Sequence, residues 1–306
     1  MKIVLTGITG FVGQELMPML QKECTQHEFL TLNIDMDDAE KKYPYDIYTN
    51  FKHLQTTDLK EVIEFNPDIV LHLATVTTSR NDTEIIRPMI SANIEFGVLL
   101  LDALAKCSNM KLFVNTGSFA EFRYGEGKYN NAYLYSASKT AFRAFLDYYS
   151  SLCNFKYINA IPYTVYGGKM TVKRLIDYIC ESLDSPTPVN MTGGEQILDF
   201  VHVHDVASFF VQTITDFDKI IHLSNGENIH LGTGIGHSIR EIASIIEKET
   251  GKKTNINWGA LPYRERDIMY AVAPIGKNIE YSNWKSRIKI QEGINKYLRS
   301  INIGLI

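Results

Sequence analysis

Cysteine is scarce in this chain and widely spread, with four residues in 306, at 24, 107, 153 and 180. No Cys-x-x-Cys occurs and no histidine pair stands near any of them. This excludes a thiolate zinc module and a disulfide scaffold, and leaves four reduced structural thiols. A long basic block is missing too, and the net charge is −4, so no nucleic acid partner is expected. No apolar run approaches the roughly 20 residues that a bilayer span needs, so no membrane partner is expected either. The first residues enter a strand directly, without the charged and apolar regions of a signal peptide, and a cytoplasmic location follows as an expectation. His202 and His204 alternate on a strand-like stretch without a third ligand, which argues against a metal site. Internal repeats and low-complexity tracts are absent.

What is present is enough apolar material, 45% of residues, for one large core or two modest ones. Residues 3–13 read IVLTGITGFVG, an apolar run followed by glycines at 7, 10 and 13. A buried strand ending at Thr6, a sharp turn and a helix opening at Phe11 would offer unpaired N–H groups to a pyrophosphate, and glycine permits the close approach. The first half then alternates strands and helices. FLTLNI, DIVLHLA, LFVNT and YINAIPY are the strands; a helix from about Pro88 to Lys106 and another from Tyr135 to about Leu152 lie between them. That rhythm predicts a parallel sheet covered on both faces, with ligands at the carboxyl ends of the strands. Gly7, Thr75, Ser118 and Thr164 fall just past those ends. After Gly167 the elements shorten and the rhythm stops, which predicts a smaller, interleaved second unit that includes the helix-like VKRLIDYICESL.

Tyr135 and Lys139 lie four apart in YSASK, on one face of a helix. An ammonium beside a phenol favours the phenolate, so Tyr135 is expected to exchange a proton near neutral pH. The spacing alone is weak, because Tyr48/Lys52, Tyr124/Lys128 and Tyr281/Lys285 share it. Context selects Tyr135, which opens a helix after the hydroxyl-bearing loop NTGS. Ser118 in that loop is placed to hydrogen-bond a reacting oxygen.

Taken in order, TGITGFVG (6–13), the DL at 58–59, HLAT (72–75), Asn93, Ser118, YSASK, PYTVYGG (162–168), GEQILDFVHVHDVA (194–207) and YRERDI (263–268) resemble the extended short-chain dehydrogenase/reductases that act on nucleotide sugars. The resemblance spans nearly the whole chain. It implies a Rossmann-like doubly wound parallel sheet over residues 1–166, with a return near 198–225, and a smaller α/β substrate-binding domain mainly over 167–306. It also implies a nicotinamide dinucleotide on the first, a nucleoside-diphosphate sugar under the second, and Ser118, Tyr135 and Lys139 as the catalytic set. Gly7, Gly10, Phe11, Val12 and Gly13 would line the pyrophosphate. Asn33 and Asp35 would stand by the ribose and Asp58 and Leu59 by the adenine. Leu73, Ala74, Thr75 and Asn93 would lie along the dinucleotide and Tyr163 by the nicotinamide. Thr75, Ser118, Thr164, Arg264 and Asp267 would meet the substrate. Within the family, NTGSF, TGGEQILDF and WGALPYRERDIMYAVAP are most similar to the 4-ketoreductase branch of CDP-abequose and CDP-paratose synthases. The family further implies a homodimer through the helices near Asn93 and Tyr135.

Departures narrow the reading. Dehydratases of this family carry adjacent Asp and Glu after the catalytic hydroxyl residue. Phe119 and Ala120 stand there instead, and Glu121 is one position out. Leu198 replaces a frequent arginine before Asp-Phe. Between 33 and 42 there is no arginine, only Lys41 and Lys42, and Asp35 is acidic; this favours NAD(H), with NADP(H) possible because the ketoreductase branch uses NADPH. The expectation is hydride reduction at C4 of a 4-keto sugar, 6-deoxy or related, with Tyr135 as proton donor. The alternative is a C4-epimerase or C4-oxidising dehydrogenase with tightly bound NAD. Nucleotide, sugar and direction stay open.

Overall fold

A computed structural model describes residues 1–168, 173–276 and 282–305. Tyr281, and Val172 at the head of VKRLIDYICESL, lie outside the described residues.

Seven strands form one sheet: β1 (Lys2–Thr6), β2 (Glu28–Asn33), β3 (Phe51–Gln55), β4 (Ile69–His72), β5 (Leu112–Thr116), β6 (Lys156–Pro162) and β10 (Glu227–Leu231). They are parallel throughout, in the order β10-β6-β5-β4-β1-β2-β3. The doubly wound parallel sheet expected from the alternation is therefore present. Its strands read as continuous apolar runs because both faces are covered. Ile3, Leu5, Ile69, Leu71, Leu112 and Val114 enter one core, while Val4, Val70 and Phe113 enter the other. The α-helices among the described residues are, in order, α1 (Phe11–Glu23), α2 (Met36–Lys42), α3 (Leu59–Phe65), α4 (Thr83–Ile90), α5 (Phe96–Leu104), α6 (Leu134–Cys153), α7 (Leu175–Ser182), α8 (Val203–Thr215), α9 (Phe217–Ile220), α10 (Ile239–Thr250) and α11 (Ile290–Ser300). Residues of α1 and α8 share the first core; residues of α3, α5 and α6 share the second.

Three details differ from the sequence reading. The edge strand FKHLQ was not anticipated, because Lys52 and Gln55 are exposed and the period-2 signal is diluted. The return to the large sheet runs past 225, since the strand that re-enters it is Glu227–Leu231. The helix expected from Pro88 starts earlier, at Thr83, with Asp82 at its cap, and continues into a π-turn at Ser91–Glu95. Pro88 cannot donate the i→i−4 bond, and the wider i→i+5 turn follows it directly.

The remaining strands include β7 (Thr164–Tyr166), β8 (Val189–Met191), β9 (Ile197–His202), β11 (Gly236–Ser238), β12 (Ile256–Trp258) and β13 (Tyr270–Ala271). β9 pairs β11 and β13 at its first half and β7 at its second, while β8 and β12 pair with each other. A third core lies here, built from Tyr166, Ile176, Phe200, Ile242, Ile246, Ile294 and Leu298.

Candidate active site

The glycine turn is shaped by two kinds of constraint. Gly7 has φ +75°, and a Cβ there would lie 2.6 Å from the Ala74 backbone nitrogen. At Gly13 a Cβ would lie 2.3 Å from the Gly7 carbonyl oxygen. The protein's own packing therefore demands both glycines. Gly10 differs: its φ of −76° suits any residue, and a Cβ would meet only the Gly7 oxygen, at 3.1 Å. No side chain caps α1 at Gly10, and no acidic residue occupies its first turn. The positive end of the helix is thus left open to an anion, where an added methyl would project. This cradle fits a dinucleotide pyrophosphate.

The turn is stitched to the end of β4. Thr6 Oγ1 accepts the Ala74 N–H at 3.0 Å and bonds His72 Nδ1 at 3.0 Å, while Leu73 N–H reaches the Thr6 carbonyl at 3.3 Å. Phe11 and Val12 open α1, and the Phe11 ring carries the Arg174 guanidinium at 3.7 Å. Arg174, Phe11, Thr164, Gly167 and Gly168 line a cavity beside the turn.

At the far end of the sheet, Asn33 is buried and donates its amide to Thr31 Oγ1 at 2.8 Å and Leu54 O at 3.3 Å. Asp35 is exposed and caps α2 through Asp38 N–H at 2.9 Å. Asp58 accepts the Gln55 N–H at 3.0 Å, closing the turn after β3, and the neighbouring Leu59 packs on the second core.

Asn93 sits in the π-turn, fully buried. Its Oδ1 accepts from Thr75 Oγ1 at 3.0 Å and Val76 N–H at 2.7 Å; its Nδ2 donates to Val76 O at 3.2 Å and Ser138 Oγ at 2.9 Å. The amide therefore holds the loop after β4 against α6, using all its polar atoms on protein partners.

Tyr135 and Lys139 are both buried on α6, unlike exposed Tyr124 and the exposed Lys52 that pairs with Glu61. Burial pushes Tyr135 up to about 12; the Glu121 carboxylate adds to the rise, while the hydroxyls of Thr77, Ser118 and Thr75 bond the phenol and pull against it. Burial holds Lys139 down to about 8, with Glu121 opposing and Arg143 assisting. Burial, rather than Lys139, is the largest influence on the phenol. Desolvation disfavours both charged forms, so Tyr135 keeps its proton at neutral pH.

Ser118 caps the short turn Phe119–Glu121, its Oγ accepting Ala120 N–H at 3.2 Å. Glu121 turns back from the site. Its carboxylate accepts Ser118 N–H at 2.9 Å and Arg143 Nε at 2.8 Å. The one-residue slip has re-aimed it. Tyr163 stacks on Phe119 with ring centroids 5.4 Å apart and meets His230 Nδ1 at 3.3 Å; Thr164 follows at the start of β7. Arg264 is exposed, and its N–H donates to Asp267 Oδ2 at 2.9 Å. Asp267 Oδ1 accepts the Tyr133 hydroxyl at 3.2 Å, which ties this late loop to the start of α6. Leu198 contributes to the third core. His202 and His204 are used locally: His202 Nδ1 caps α8 through His204 N–H, and His204 Nδ1 meets Glu15 at 2.6 Å.

Sequence reasoning missed Thr77, Tyr133 and Arg174. The hydroxyl-rich TVTT after β4 was a usable signal for the first; nothing local marks the other two.

A glycine-turned nucleotide cradle, with a Ser/Tyr/Lys group at the carboxyl ends of β4 and β5, defines a dinucleotide-type α/β enzyme class. Residues 3–232 match the model of the NAD dependent epimerase/dehydratase family, and the chain belongs to that family. CDP-abequose synthase of Salmonella muenchen is 27% identical over 97% of each chain. GDP-L-colitose synthase of Yersinia pseudotuberculosis is 25% identical over 97% of this chain and 96% of that one. The crystal structure of UDP-glucuronic acid 4-epimerase from Bacillus cereus, in complex with UDP-glucuronic acid and NAD, shares the fold with a TM-score of 0.83 at 20% identity, over 99% of each chain. No helix among the described residues is long and apolar enough to cross a membrane.

Proposed function

We propose that the chain is a nucleotide-sugar 4-ketoreductase using NAD(H). The observation that carries the reading is the buried Tyr135 among the hydroxyls of Thr75, Thr77 and Ser118, with Glu121 committed to Arg143. Bound NAD(H) would supply the hydride. The chain's own groups handle the oxygen: Tyr135 donates a proton to the C4 oxygen, Ser118 polarises the carbonyl, and Lys139 contributes positive charge. Dehydration is disfavoured, because Phe119 and Ala120 carry no acid and Glu121 is committed to Arg143. Resemblance to CDP-abequose and GDP-L-colitose synthases supports a nucleoside-diphosphate sugar as substrate.

Gly7, Gly10 and Gly13 would hold the pyrophosphate, with Asp35 as the exposed acid near the ribose; the absence of arginine from 33 to 42 favours NAD(H) over NADP(H). Arg264 and Arg174 would supply positive charge to the substrate diphosphate. We also assign a homodimer to the apolar face of α4 and α6, where Ile86, Ile90, Phe145, Tyr148 and Leu152 are exposed.

The test is a cofactor balance. A nucleoside-diphosphate 4-keto-6-deoxy sugar should consume one reduced cofactor per sugar, faster with NADH than with NADPH. Conversion of a 4-hydroxy nucleotide sugar by protein that already carries dinucleotide, with none added, would replace this reading with a C4-epimerase.

A further inference from the structure

Glu121 is fully buried and lies outside the catalytic set proposed above, yet it bonds Ser118 and the helix that carries Tyr135 and Lys139. Its Oε1 accepts the Ser118 N–H at 2.9 Å and Arg143 Nη2 at 3.0 Å. Its Oε2 accepts Arg143 Nε at 2.8 Å and the Thr140 hydroxyl at 3.0 Å. Arg143 is itself buried and spends its remaining Nη1 on Asn228 Oδ1 at 2.8 Å. Thr140 follows Lys139 directly and Arg143 lies one helical turn beyond it, so the carboxylate bridges the Ser118 loop to the face of α6 that carries Lys139.

The local sequence is built around this pair. A Cβ at Gly117 would lie 2.7 Å from Glu121 Oε1 and 2.8 Å from Arg143 Nη2. Ile161 Cδ1 would lie closer still, at 2.6 Å, so the glycine of NTGS leaves room for both the ion pair and this side chain, with its backbone N–H meeting Ala160 O at 2.8 Å.

We propose that Glu121, clamped by Arg143, is a positioning residue of this site: it fixes Ser118 through the backbone and acts as the buried counter-charge of Lys139. What Ser118 and Lys139 do chemically rests on the ketoreductase reading; the clamp itself does not. Among the described residues, the other ionisable groups beside Lys139 are His72 on β4 and Tyr135 one turn earlier. Burial keeps His72 neutral, down to about 3, and Tyr135 protonated. Glu121 and Arg143 are then the charges that act on the ammonium, with opposite sign.

A buried ion pair that only packs would behave differently. Losing either member would damage the site in the same sense. A counter-charge role predicts opposite shifts. Lys139 can be followed by NMR of ¹³Cε-labelled lysine in the full-length protein, assigned by the signal lost in Lys139→Met. In Glu121→Gln its titration should fall by about one pH unit or more, the size expected for removing a close opposite charge. In Arg143→Gln it should rise, and in the double variant return near wild type. If Glu121→Gln does not fold alone, the double variant against Arg143→Gln gives the Glu121 contribution, the unpaired buried charge then being the carboxylate of the Arg143→Gln variant. The alkaline limb of turnover should follow the titration, with kcat falling more than KM in Glu121→Gln. Lys139 unmoved, or moved the same way in both single variants, overturns the proposal. Absence of 4-keto reduction in the wild type would remove the proposed reaction and leave the titration to decide Glu121 independently.

Discussion

Replacing each glycine of the turn by alanine separates packing from ligand approach. At Gly10 the backbone is already in a region open to alanine, and the one close contact is 3.1 Å. Alanine there gains about 0.4–1 kcal/mol through the unfolded chain. It loses up to about 1 kcal/mol as a poorer helix cap. The terms nearly cancel, so the melting temperature should move by less than about 4 °C. At Gly7 the left-handed backbone costs alanine about 1–2 kcal/mol. The backbone collision at 2.6 Å has no rotamer to relieve it. Adding about 1–3 kcal/mol for overpacking gives roughly 2–5 kcal/mol, a melting drop of about 3–8 °C for a chain of this length. Gly13→Ala belongs with Gly7→Ala. Dinucleotide affinity should separate the variants in the opposite order from stability. The Gly10 methyl would project where the pyrophosphate must approach, so NADH binding should weaken by at least about 30-fold, roughly 2 kcal/mol, in a stable protein. Thermal melts and calorimetric titration with NADH read both quantities. A Gly10→Ala variant that binds NADH within threefold of wild type would refute the argument, as would one that melts with Gly7→Ala.

Other perturbations address the rest of the site. Lys139 has a folded pKa lowered to about 8 from 10.5, so the folded state disfavours its charge. Its contribution to stability should therefore be unfavourable below pH 8, rise between pH 8 and 10.5 and vanish above, while turnover falls as pH passes 8; pH-dependent urea unfolding and a rate profile check the two signs. Asn93→Ala removes a buried amide with four partners, and should cost about 2–4 kcal/mol in urea unfolding and slow turnover by freeing the loop that carries Thr75 and Thr77. Tyr148→Glu with Leu152→Glu changes side chains that are 61% and 62% exposed, so it should leave the fold intact and shift sedimentation from dimer to monomer. An unchanged sedimentation coefficient would exclude that face.

Much of the site was legible because its signals are local. The glycine turn follows an apolar strand, and Tyr135 and Lys139 share a helix face; both readings depend on a few adjacent residues. Asn93 was legible as important but its use was not, since a four-partner strut depends on a π-turn and on Ser138, 45 residues away. Glu121 could be read as misplaced for dehydration. Its pairing with Arg143, which with Ile161 crowds Gly117, needed the approach of α6 to the β5 loop. The burial of Tyr135 and its effect on the phenol were not legible for a similar reason. Spacing gives proximity to a lysine, whereas burial of both groups decides the balance of charge. Edge strand β3 escaped because two of its five residues face water.

The most direct test of the central claim is Tyr135→Phe, which deletes one buried hydroxyl and little else. NADH affinity and melting temperature should stay close to wild type, while the rate of 4-keto reduction should fall by about 10²–10⁴, the contribution of a positioned proton donor. Turnover within a few-fold of wild type, with cofactor still bound, would contradict the account.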